Sequence, residues 1–326
     1  MRVRSNAIVA FTAIIATVAL SACGQFSNLK ARKAFKDANV DYQAQRYEQA
    51  VEKYQQVVAE PNAASDPNLV HAYFFLGNSY DNMYKPARKG EAENDALLAK
   101  AVENYKLAAE RETDPKMKKL SLDYLVAAYG PDKLDDPSQA EPLVQRMIQL
   151  DPSDTTNYFA LANIYENAGN LDEAEAMLNK AREVRPKESA VYQQLAGFYQ
   201  RQGDFDKLIA AVQQRAELEP NNPEAHYAVA TYYWDEAYRN TRLNEAQKRE
   251  YTKNGLTAVD KAIALNPDYV EALTYRGLLL RIEAGMEKDA KRQTQLLDEA
   301  KQLQEKAVAL KKKQASGVAD AAAGKD

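Results

Sequence analysis

Catalysis needs nucleophiles, proton carriers or metal ligands brought together, and this 326-residue chain supplies few of them. Cys23 is the only cysteine, so no internal disulfide can form, and one thiol does not build a metal site. The two histidines, His71 and His226, each stand at the start of a helical pattern and in different parts of the chain, where a groove or surface position is the ordinary reading. No P-loop, H-E-x-x-H, C-x-x-C or G-x-S-x-G occurs. Asp135 and Asp136 precede Pro137 in a loop, a place for helix-start chemistry rather than for an acid pair. Glu173 and Glu175 sit opposite basic neighbours on a solvated face. The expected catalytic and metal sets are therefore empty, no cofactor is implied, and the chain reads as a non-enzyme. Its one thiol needs another use.

The residues before Cys23 supply one. The chain opens MRVRSN, basic and without an acid, and continues AIVAFTAIIATVAL over residues 7–20. Those 14 residues are short for a permanent transmembrane anchor, which needs ~20. A basic start, a short apolar stretch and small residues form a secretory signal. Leu20-Ser21-Ala22-Cys23 resembles the bacterial lipobox, which implies cleavage after Ala22 and acylation of Cys23. An ordinary signal peptide or signal anchor with an incidental cysteine is the plain alternative. At ~0.8 kcal/mol per buried CH₂, several acyl chains on one cysteine give a stable membrane anchor. By the same resemblance Gly24, in place of Asp, favours the outer membrane of a Gram-negative envelope. The tether, residues 23–29, spans ~20 Å at most, which keeps the first folded segment near the bilayer.

Cleavage leaves 41 basic against 47 acidic residues, because residues 1–22 carry Arg2 and Arg4 and no acid. An acidic balance argues against a nucleic-acid surface, which needs clustered Lys and Arg. Only 12 glycines and 12 prolines, beside abundant Ala, Glu, Lys, Gln and Leu, point to helix nearly throughout. Twenty tyrosines beside one tryptophan need a reason.

The reason is a repeat. Tyr158 and Tyr192, Leu161 and Leu195, Gly169 and Gly203, and Leu171 and Phe205 each lie 34 residues apart. Tyr165, Tyr199 and Tyr233 take the same step, as do Ala162, Ala196 and Ala230, and Pro152, Pro186 and Pro220 close successive units. The small residues let two helices approach, the tyrosines fill the groove between them, the glycines supply a tight turn, and the prolines end the second helix. This pattern resembles the tetratricopeptide repeat (TPR). The resemblance implies an all-α fold, a TPR-type α-solenoid of about seven helix pairs over residues 30–313, some with extended or inserted hairpins. It is strongest over 155–233. Most tyrosines are then core packing with the hydroxyl at an edge.

Units two, six and seven carry extra residues between their helices. Pro267 falls 47 residues after Pro220, 13 more than one period. The unit-six insert, WDEAYRNTRLNEAQKREYTKN, is polar and helix-prone and should lengthen both helices by about two turns each into a projecting hairpin. The unit-two insert, MYKPARKGEAEND, reads as a loop. After Leu310 the apolar period stops, so residues 314–326 are expected to be a flexible tail, with Lys311–Lys313 capping the last helix.

The implied function is binding. The resemblance places the first helices along a groove lined by Phe74, Asn78, Phe159, Asn163, Gln193, Gln200, Tyr227, Thr231 and Trp234. Phe74, Phe159, Gln193 and Tyr227 stand where the family's clamp for acidic peptide tails has its first lysine, which argues against such a tail. Phe74 and Phe159 could instead belong to interhelix packing. The expectation is a lipid-anchored scaffold on the periplasmic face of the outer membrane, binding protein partners and assisting assembly of an outer-membrane or secretion/pilus-type complex. A glycan-contacting part in polysaccharide export, with Trp234 and the tyrosines as sugar platforms, is the rival. Regulation of a cell-wall enzyme is the third reading.

Overall fold

A computed structural model describes residues 28–323, so the expected signal peptide (residues 1–22) and Cys23 lie outside the described residues. Fourteen α-helices and no strand occur among the residues described. In chain order they are α1 (28–43), α2 (Tyr47–Val58), α3 (His71–Met83), α4 (Ala92–Arg111), α5 (Pro115–Ala128), α6 (Pro137–Leu150), α7 (Thr155–Asn167) and α8 (Leu171–Val184). The series continues with α9 (Ser189–Gln202) and α10 (Phe205–Leu218), α11 (Pro223–Arg239) and α12 (Glu245–Leu265), and α13 (Val270–Met286) and α14 (Ala290–Ala323). No described helix is long and apolar enough to cross a membrane.

The chain divides into two compact units, Met1–Gly169 and Asn170–Asp326. In the first, α2 through α7 pack each on the next, and the first helices α3 and α5 also meet. In the second, α8 packs on α9, α9 through α14 continue in series, and α11 touches α13 directly. Each unit is thus a serial stack of helices, with one direct contact between first helices in each, α3 with α5 and α11 with α13.

Local chemistry sets the helix ends. Helices α6, α8, α10 and α12 stop two residues before Pro152, Pro186, Pro220 and Pro267, because the residue before a proline is pushed out of the helical region. Their C-cap residues Asp151, Arg185, Glu219 and Asn266 show it, with ψ between 57° and 93°. Asp154, Asp204 and Asn222 cap helix starts through their side chains, and Asn244 forms a full capping box with Gln247.

The turns inside the pairs share one device. Among the described residues, five have positive φ: Gln45, Gly90, Asp135, Gly169 and Gly203. Each stands two positions before the first residue of a second helix, at Tyr47, Ala92, Pro137, Leu171 and Phe205. Glycine fills that left-handed position without steric cost at three of the five. The small slot of the first helix is equally physical. A Cβ on Gly77 would meet Ala101 O at 3.1 Å and Tyr105 Cδ1 at 3.0 Å, so α3 and α4 are in contact there along their backbones.

Four expectations are corrected. α11 has 17 residues and α12 has 21, against 13 or 14 in α7–α10, so the first helix gains about one turn and the second about two. The unit-two insert is a loop only to Glu91: it holds a 3-10 turn at Pro86–Arg88, and its last four residues already belong to α4. Helix α14 runs on to Ala323, where fraying from residue 314 was expected. The segment is rich in alanine, the best helix former, and has no proline to stop it. Lys311–Lys313 therefore sit inside the helix and do not cap its end.

Candidate functional site

The tyrosine slots tie one repeat to the next. Tyr80 in α3 accepts a hydrogen bond from Gln55 in α2 (2.7 Å), and Tyr165 in α7 donates to Glu141 in α6 (2.9 Å). Tyr199 in α9 donates to Glu175 in α8 (2.8 Å), and Tyr233 in α11 accepts from Gln213 in α10 (3.0 Å). In each case the first helix of one unit reaches the second helix of the unit before it. Lys207 completes one such tie at 2.8 Å from Glu175. That ammonium first, and the Tyr199 hydroxyl with it, hold the Glu175 carboxyl below its ordinary value.

A second series accounts for one histidine. Tyr158 donates to Pro152 O (3.0 Å), Tyr192 to Pro186 O (2.8 Å), and His226 Nε2 to Pro220 O (2.9 Å). His226 thus replaces a tyrosine that fastens the loop carbonyl, and because a carbonyl only accepts, Nε2 carries the proton. His71 is half-buried and tied to an acid: its Nδ1 meets Glu112 Oε2 at 2.6 Å, and Glu112 is buried. The other carboxylate oxygen takes the backbone N–H groups of Thr113 and Asp114. No cluster of metal-ligating side chains occurs among the described residues.

The predicted groove residues divide. Phe74 and Asn78 are 4% and 3% exposed, so neither can touch a partner, which corrects their assignment. Phe74 packs edge-on against Phe75 and Tyr124. Asn78 accepts from Tyr42 (2.7 Å) and donates to Tyr105 (3.2 Å), whose hydroxyl donates to Asp81, itself paired with Lys133 at 2.5 Å. Asn78 is the centre of a buried polar chain linking α1, α3, α4 and the α5–α6 turn. In the same unit Phe159 is half-buried and Asn163 exposed. In the second unit Gln193 and Gln200 are exposed, and Gln200 accepts from Tyr232 at 3.2 Å.

Tyr227, Thr231 and Trp234 lie on α11 and are half-buried. Thr231 is occupied locally, donating to Ala228 O at 2.7 Å. The other two belong to a continuous aromatic strip across α11 and α13. Tyr269 contacts Tyr227 at 5.2 Å, Tyr227 meets Tyr275 edge-on at 5.3 Å, and Tyr275 meets Trp234 edge-on at 5.2 Å. Trp234 finally stacks on Tyr238 at 5.1 Å with planes 9° apart. Burial first, then the neighbouring Tyr275, raises the Tyr227 phenol above its ordinary range, so it stays neutral.

The strip ends at an open cleft of 670 Å³, with Trp234 and Tyr238 beside Leu278, Ile282 and Met286. Tyr238 is 64% exposed, and Lys248 and Arg281 also line the cleft. Sequence reasoning found Trp234 but missed Tyr238, Tyr275 and the aliphatic floor. The signal for Tyr238 was present, four residues after Trp234 and hence on the same helical face.

A tetratricopeptide-repeat family model matches residues 133–196. No curated protein matches the chain. Among solved structures, the C-terminal part of a TPR repeat-containing protein from Cytophaga hutchinsonii aligns over 85% of this chain and 98% of its own, with 17% identity and TM-score 0.54. MamA aligns over 62% of this chain and 96% of its own (19% identity, TM-score 0.40), and YrrB over 65% and 99% (16%, 0.40). The fold is the TPR-type helical stack.

Proposed function

We propose that the protein is a lipid-anchored envelope scaffold that holds protein partners on the first-helix faces of its repeats, chiefly at the cleft beside Trp234 and Tyr238. The observation that carries this reading is an aromatic strip ending in a largely exposed tyrosine over an aliphatic floor. Interfaces concentrate their binding energy in a few such aromatic anchors set in apolar pockets. The tetratricopeptide-repeat match over residues 133–196 supports a binding role. A glycan platform fits less well. Sugar hydroxyls call for acceptors as well as donors, and the cleft is lined by the donors Lys248 and Arg281 but by no side-chain amide or carboxylate.

The anchoring half rests on the N-terminal sequence, with Cys23 as the acylated residue and the outer membrane, facing the periplasm, as the destination. Assistance to assembly of an outer-membrane or secretion/pilus-type complex is the role consistent with a tethered binding surface. Two experiments test these halves. Replacing Trp234 and Tyr238 together by Ala should cut the partner co-purified from membranes about tenfold or more while the helical circular dichroism is kept; an undiminished yield contradicts the site. Cys23→Ser should abolish fatty-acid labelling and leave unprocessed precursor, whereas persistent labelling refutes the anchor.

A further inference from the structure

The cleft of the second unit has a charge pattern that selects its occupant. Its floor and walls are Trp234, Tyr238, Leu278, Ile282 and Met286, and its only charged lining residues are Lys248 and Arg281. Lys248 forms no ion pair among the described residues, and Arg281 donates only to the neutral amide of Gln304, at 2.8 Å. Two acids close in sequence to lining residues are already engaged: Asp235 with Arg239 at 2.7 Å and Glu245 with Arg249 at 2.8 Å. The cleft is thus lined by apolar and cationic side chains alone, on a chain with 47 acidic against 43 basic residues. It also belongs to the lengthened pairs, because Tyr238 and Met286 lie in helical turns that the 13- and 14-residue helices lack.

Resting on the partner-binding reading above, we infer that this cleft takes an apolar protein segment flanked by carboxylates. The apolar side chains enter beside Trp234 and over Ile282 and Met286, and the flanking acids meet Lys248 and Arg281. A cleft of 670 Å³ falls within the ~300–1,000 Å³ range of ligand sites, enough for a few side chains rather than a whole helix face. The basic run Lys311–Lys313 of a second copy has the wrong sign for this lining, which argues against self-association through that segment.

The test uses the purified full chain and three short synthetic peptides that share one apolar core and differ in flanking Glu, Gln or Lys. Fluorescence anisotropy should give the Glu-flanked peptide at least about tenfold tighter binding than the Gln-flanked one, weakening as salt rises. Lys248→Glu combined with Arg281→Glu should invert the order, so that the Lys-flanked peptide binds best. That inversion also shows the variant to be folded. Equal binding of all three peptides, or an order that the double variant leaves unchanged, overturns the inference. Monomeric dodecanoate binding as tightly as the Glu-flanked peptide would mark an acyl-chain site and overturn it too. If partner co-purification still depends on Trp234 and Tyr238 while the peptide order fails, the scaffold reading survives and only the acidic chemistry falls. The opposite pair of results would retire the scaffold and leave the site.

Discussion

Gln45 and Asp135 hold φ of 57° and 55° in the turn position that Gly90, Gly169 and Gly203 fill elsewhere. A side chain there presses its Cβ on the following carbonyl, at ~1–2 kcal/mol, and Asp tolerates this better than Gln. Gln45 is exposed, so its side chain offers little in return. Gln45→Gly should therefore raise stability in urea unfolding by about 0.5–1 kcal/mol, a gain reduced by glycine's greater freedom when unfolded. No gain would show that the turn is not strained. The glycine turns were legible because the residue type announces the geometry; Gln45 and Asp135 were not, because only their spacing to the next helix gives them away. Asp66 offers a second residue-scale test. Burial works to raise its pKa, but the Asn68 amide groups, Arg32 and Asn28 outweigh it and hold the carboxyl at about 2. Its folded value lies below its ordinary 3.8, so its contribution is complete above that value and disappears as the pH falls toward 2. Over that window the wild type should lose stability faster than Asp66→Asn; parallel curves would contradict the linkage.

The helix pair is the element that the sequence specified best. Period, closing proline and small slot agree from Thr155 to Tyr233, and the helices there begin and end where these residues require. Burial was less legible. The register gives the face of a helix but not what lies over it, so Phe74 and Asn78 fell under Tyr124, Tyr105 and Tyr42 from other helices. The inserts misled for a related reason: a polar helix-prone run does not say how its turns divide between two helices. Ties between successive units are the element-scale prediction. Tyr199→Phe removes one hydrogen bond to Glu175 and should cost about 1 kcal/mol. Because Lys207 shares that carboxylate, a double-mutant cycle with Lys207→Met should show coupling. Simple additivity would mean that the tie does not act as a unit.

At the scale of the molecule, two compact stacks carry different surfaces. In the first, Phe74 and Asn78 are absorbed into packing and a buried polar chain. In the second, the aromatic strip from Tyr269 to Tyr238 reaches the surface beside an aliphatic floor. The central claim is that this surface holds a protein partner in the cell. A photo-crosslinking residue at Ile282 tests it most directly, with Glu183, exposed on α8 of the same unit, as the control position. The account predicts one discrete protein adduct in intact cells from Ile282, lost when Trp234 and Tyr238 are replaced by Ala, and none from Glu183. Equal capture at both positions, or an Ile282 adduct indifferent to those two rings, would contradict it.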